Sequence, residues 1–149
     1  MRRLNRKEAV LLLRALAVVL HVRTRLRLRG LDRVRAGIAR RGARRPAGLG
    51  DLREVAWSVR AAARLVPGAT CLTQALAGQA LLARRGLRSQ VEITLPAGGP
   101  QPAPHAWLVC EGRVLLGGIA AERRAHRALL VMEADGAARP SAEAPGRVA

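Results

Sequence analysis

Two tryptophans, Trp57 and Trp107, are the only aromatic residues in this 149-residue chain, which contains no Phe and no Tyr. Half of its residues are nonetheless hydrophobic, so a packed interior has to be assembled from Leu, Val, Ala and Ile. The length fits one domain with an aliphatic core of modest size, and two independent cores would exceed it.

The formal net charge of +17 is unevenly spread. Residues 1–45 hold fifteen Lys or Arg against Glu8 and Asp32, which is +13, and the remainder supplies +4. A field of that sign attracts nucleic acid, anionic lipid or acidic peptide. Two features argue against nucleic acid. Lys7 is the only lysine among abundant Arg and Ala, a composition that GC-rich coding produces unaided, and the aromatic stacking platforms of single-strand binders are missing.

Cys71 and Cys110 are too few for an extracellular disulfide framework. The apolar run "AVLLLRALAVVLHV" follows the basic "MRRLNRK" as in a signal peptide. It is interrupted by Arg14, however, and leads into "RTRLRLRG" without a small-residue cleavage site. It is also shorter than the roughly 20 apolar residues of a spanning helix. A buried or partner-facing helix is the preferred reading, a membrane-surface helix the alternative, and a cytoplasmic location is expected.

The stretch from Asn5 to about Leu28 reads as one helix ended by Gly30, with a shorter helix over Leu31–Arg41. The Gly- and Pro-containing "RGARRPAGLG" reads as a linker. Asp51 is placed as an N-cap with Glu54 completing a capping box, and Leu52, Val55, Ala56, Val59 and Ala63 would share one helical face. A further helix is predicted from Cys71 to Arg85, and "SQVEITL" alternates as a strand. "PAGGPQPAP" is a loop, and "HAWLVCEGRVLLGG" reads as two strands about a tight turn at Glu111 and Gly112. A short helix near Ile119–His126 and a strand through "RALLVME" complete the pattern. Three units are thus expected: a basic helical segment over 1–45, a core over 49–134 and a loose tail over 135–149.

Chemistry concentrates at two residues. A thiol is nucleophilic only as thiolate, and the free N–H groups and dipole of a helix N-terminus favour that anion, which is where Cys71 falls. His105 opens a strand, a rigid mount from which an imidazole can carry the proton. Spacing alone does not separate this from a small buried cysteine and a hydrogen-bonded histidine. Cys110, in mid-strand, has the setting of an inert thiol. His21 and His126 have no Cys, Asp or Glu at metal-ligand spacing, so neither a metal nor another cofactor is expected.

"PGATCLTQALAGQALLARRGLRSQVEI" followed by "HAWLVCEGRVLLGG" resembles the protease half of the split lasso-peptide maturation proteins, part of the transglutaminase-like, papain-related superfamily. The resemblance covers roughly Leu49 to Gly118, and the basic N-terminal helices are similar as well. It implies an α+β fold in which a nucleophile helix packs on a small antiparallel sheet, preceded by basic helices. It also implies a cysteine peptidase that removes the leader of a ribosomally made precursor, with Cys71 as nucleophile and His105 as general base and acid. The family's third member, an acid on the strand after the His, falls at Gly117 or Gly118 here, so His105 would be oriented by a backbone carbonyl, by water or by an acid from elsewhere such as Glu122. The Cys71 amide is the natural oxyanion donor, with Gln74 as a second candidate.

The resemblance further implies a precursor peptide as substrate, a separate leader-recognition protein and an ATP-dependent macrolactam cyclase as partners. The arginine-rich helices then either dock one of these or form a solvated positive face. Rival functions are acyl transfer to an amine in place of hydrolysis, and a catalytically weakened peptide-binding module.

Overall fold

The computed structural model describes residues 5–39, 48–96, 103–134 and 137–140. Helix α1 (Arg6–Ala39) bends at Gly30, whose backbone (φ 74, ψ 174) is non-helical and splits it into two arms. This is the break the sequence predicts, and glycine adopts such a φ without the Cβ penalty of other residues. On the first arm Ala15, Val18, Val19 and Val22 are buried, the i, i+3, i+4, i+7 stripe of an amphipathic helix. Val34 and Ile38 of the second arm join the same core cluster, as do residues of the next two helices.

Helix α2 (Leu49–Leu65) buries Leu52, Val55, Ala56, Ser58, Val59 and Ala62. Its start corrects the expected capping box. Gly48 is the N-cap and contributes no side-chain bond, because the two acids are taken by a distant cation. Arg85 donates to the Asp51 carbonyl at 3.1 Å, to Asp51 Oδ1 at 3.4 Å and to Glu54 Oε2 at 3.3 Å. Two carboxylates on one guanidinium outweigh a single local cap bond.

Helix α3 (Cys71–Arg84) is the central element, touching α1, α2 and the sheet. Close approach to the sheet depends on Gly78. A Cβ there would lie 2.5 Å from Leu108 Cδ2 and 2.9 Å from Leu116 Cδ1, so the glycine's helix penalty of about 1 kcal/mol is offset by packing density. Buried Gln79 donates through Nε2 to the carbonyls of Ser89 (3.2 Å) and Met132 (3.1 Å), tying the helix to the sheet.

The sheet is antiparallel, in the order β3-β2-β1-β4-β5. Its strands are β1 (Gln90–Pro96), β2 (His105–Cys110), β3 (Arg113–Leu116), β4 (His126–Glu133) and β5 (Ala138–Pro140), with helix α4 (Ala120–Arg124) between β3 and β4. The β2–β3 turn has positive φ at Glu111 (48°) and Gly112 (74°), the twist that matches a two-residue hairpin. A register shift follows between Leu108 and Val109. Strand β5 lies where the sequence suggests a loose tail. It pairs with the free edge of β4 although its three residues are all exposed, so no apolar alternation announces it. The expected linker over 41–50 lies outside the described residues up to 47, and its Leu49 and Gly50 already belong to α2; most of the "PAGGPQPAP" loop also falls outside them. Among the described residues no helix is long and apolar enough to cross a membrane.

Candidate active site

Thr70 caps α3: its Oγ1 accepts from the Thr73 amide at 3.3 Å. Cys71 is therefore the first helical residue, and it is partly exposed. At that position its own amide precedes the α3 backbone ladder, so it remains a donor for developing negative charge beside the sulfur. Gln74, the second oxyanion candidate, turns its side-chain amide back onto the Ala69 carbonyl at 3.4 Å. Helix α1 braces this turn, with the Arg23 guanidinium lying 3.1 Å from where a Cβ on Gly68 would be.

His105 opens β2, paired with Thr94 of β1. Its Nε2 lies 2.5 Å from the carbonyl oxygen of Gly117. A carbonyl only accepts, so Nε2 carries the hydrogen and the neutral ring keeps its lone pair on Nδ1, the tautomer of a general base. The ring packs edge-on against Trp107 with centroids 4.7 Å apart. Trp107 is itself buried and held by its Nε1 donating to Thr94 Oγ1 at 2.8 Å. Behind it lies buried Glu92, gripped by Arg123 through Nε and Nη2, both at 2.6 Å. The hydrogen bond to Glu92 pushes the already high pKa of Arg123 up further, more than its partial burial lowers it. Helix α4 is thereby anchored over the polar face of the sheet.

The two candidates lie at the same end of the molecule. Helix α3 meets β2 at Gly78 and Leu108, and the far ends of both elements also converge, since Cys110 Sγ donates to the Arg88 carbonyl at 3.0 Å. From the Gly78–Leu108 contact, Cys71 is seven residues back (78 − 71), about 10 Å along a helix. His105 is three residues back (108 − 105), likewise about 10 Å along a strand. The thiol-bearing and imidazole-bearing ends therefore stand level. Alternation directs Ala106 and Leu108 toward α3 and the His105 ring toward Trp107. Among the described residues no hydrogen bond joins the Cys71 thiol to the ring, which sits with Trp107 on the face of β2 turned away from α3.

The family model of the transglutaminase-like superfamily matches residues 16–132, from within α1 to the end of β4. The chain belongs to the transglutaminase-like superfamily. No curated protein and no solved structure matches it. The mixed architecture of helices and an antiparallel sheet is that of a transglutaminase-like α+β core, and cysteine peptidases are common in the superfamily.

The strand after the histidine is followed by two glycines. Gly117 and Gly118 both have positive φ (108° and 142°), and no acid touches the His105 ring through them. The Gly117 main chain supplies the partner. Glu122 contacts the space a Gly118 side chain would enter, and its Oε2 accepts from the Ile119 amide at 3.1 Å. Of the three possibilities left open by the sequence, a backbone carbonyl orients the ring, and Glu122 braces the turn that carries it. A backbone acceptor leaves no residue-type signature, so only the hairpin register pointed to it.

Cys110 of this transglutaminase-like chain is buried at the end of β2, whereas Cys71 is partly exposed at a helix start. Burial first, then the nearby Glu111 charge, push the Cys110 thiol above the ordinary value of 9.0. Iodoacetamide near neutral pH is therefore expected to label Cys71 at least about tenfold faster than Cys110, read by peptide mapping. Because the folded state holds the Cys110 proton more tightly, the stability it supports is complete below the ordinary thiol range and declines as pH rises through the folded value. Denaturant titrations from about pH 8 to 11 should show that decline in the native chain and a smaller one in Cys110→Ala.

Proposed function

We propose that the protein is a leader peptidase of lasso-peptide maturation, acting in the cytoplasm through a Cys71–His105 dyad. The observation that carries this is the arrangement of the two mounts. A cysteine opens α3 at the same end where a histidine opens β2, and that histidine's outer nitrogen is already held by Gly117.

In the reaction, Nδ1 of His105 takes the Cys71 proton and the thiolate attacks the carbonyl carbon at the leader–core junction. The oxyanion is met by the Cys71 amide. Collapse breaks the C–N bond as imidazolium protonates the leaving amine. The core peptide departs with a free α-amine and the leader remains as a thioester. His105 then deprotonates water, which attacks the thioester carbon; the C–S bond breaks, releasing the leader carboxylate and restoring the thiol. The precursor is delivered by a separate leader-recognition protein, and the freed amine is what an ATP-dependent cyclase needs to close a macrolactam.

The deciding experiment incubates the protein with lasso precursors and leader-recognition protein and reads product masses. Free leader acid plus core supports the proposal. A leader joined to an added amine would establish acyl transfer instead, and binding without any product would identify a peptide-binding module.

A further inference from the structure

A cavity of about 540 Å³ lies away from Cys71, between the two arms of α1 and the C-terminal half of α3. That volume is within the range of roughly 300–1,000 Å³ typical of ligand sites. Its floor is Val18, Val22, Val34 and Ile38, and Arg25, Arg33 and Arg84 stand in its walls. Among the described residues none that lines it is acidic, and neither Arg25 nor Arg33 is in an ion pair.

We infer that this cleft is the docking site for an acidic, amphipathic peptide segment of a partner protein. The lining selects for both halves of that description. The Arg25 and Arg33 guanidinium groups, one on each arm of α1, each call for a carboxylate, which pairs with guanidinium in a forked geometry. The aliphatic floor calls for apolar side chains between them, as when an amphipathic helix enters a groove. A nucleic acid would satisfy the arginines and leave the floor uncovered, and the lining offers no Trp, Tyr or Phe and only the small His21 ring to stack a base. A small inorganic anion would leave most of the volume empty. The charge also lies in the right place, because the N-terminal third holds most of the chain's excess of positive residues. This inference does not depend on peptide cleavage at Cys71, which lies at the opposite end of α3 from Arg84.

Gly37 allows a clean test. It lines the cleft on the second arm of α1, and a Cβ there meets nothing within 4 Å. Gly37→Phe would thus fill the cleft without altering charge, and Gly37→Ala would leave it open. The probe is a short fluorescent peptide of Leu and Glu at helical spacing, followed by anisotropy, with a Lys-for-Glu peptide and an oligothymidylate as controls. Gly37→Phe and the pair Arg25→Glu/Arg33→Glu should each weaken peptide binding by about tenfold or more. Gly37→Ala should bind as the native chain does, and Arg113→Glu/Arg127→Glu, an equal charge change at exposed positions elsewhere, should weaken binding no more than about threefold. Thermal melts establish that each variant is folded. Equal losses from the two charge-reversal pairs, or no loss from Gly37→Phe in a folded protein, would overturn the inference, as would tighter oligothymidylate binding that Gly37→Phe abolishes.

Discussion

Cys71→Ala should leave a folded protein whose rate of leader release falls by at least about 10⁴-fold, and His105→Ala should do the same. The fold survives because Cys71 is partly exposed and the α3 start is held by Thr70, which neither substitution touches. Alanine is also a better helix former than cysteine. Activity does not survive, because thiolate and imidazole act as one unit: the sulfur without its proton carrier has no group to take its proton or to protonate the leaving amine, and the ring without sulfur has no acyl acceptor to serve. The double variant should therefore be no slower than either single one. Mass-resolved leader release and thermal melts measure both halves of the claim. Release by Cys71→Ala above about one hundredth of the native rate would rule out the dyad.

The parts legible in the sequence are those set by local periodicity. The first arm of α1 and its break at Gly30, the buried face of α2 apart from Ala63, the Cys71 helix and the Glu111–Gly112 hairpin follow from composition, apolar spacing and turn chemistry. The parts that escaped are non-local. Asp51 and Glu54 carry a capping signature and are instead drawn to Arg85, thirty-one residues beyond Glu54. Strand β5 forms because β4 has an unpaired edge, and nothing in its exposed residues announces it.

The aromatic scarcity acquires a meaning only in three dimensions. Trp57 is 38 % exposed on α2 and outside the core, whereas Trp107 is buried on the sheet face opposite α3, between the rings of His105 and His126. The aliphatic core on the α3 side was predictable from composition. The polar layer on the other side, where Glu92, Arg123 and Thr94 surround Trp107, was not, since buried charges are rare and their pairing crosses distant segments.

That polar face is why Gly117→Ala should be the most damaging single-methyl change. The new Cβ would lie 2.7 Å from the Ala106 carbonyl oxygen and 2.9 Å from Trp107 Cε3. The first is backbone inside β2 and the second a ring fixed by Thr94, so neither neighbour yields easily. The φ of 108° adds the strain of a left-handed alanine. Together these are expected to cost about 3 kcal/mol, a fall in melting temperature near 10 °C. Relief requires the Gly117 carbonyl to move off His105, which releases the tautomer and should lower kcat by about 10²-fold with little change in KM. Gly118→Ala is the discriminating partner. Its Cβ meets the Glu122 carboxylate, which can turn aside by giving up its bond to the Ile119 amide, and comes 3.0 Å from Trp107 Cζ3, so the strain falls on the turn after Gly117 and the carbonyl one residue earlier can stay in place. Nitrogen NMR of the His105 ring separates the two cases without any substrate: a single Nε2–H tautomer in the native chain and in Gly118→Ala, and a mixture in Gly117→Ala. An unchanged tautomer in Gly117→Ala would mean that something other than this carbonyl orients the ring.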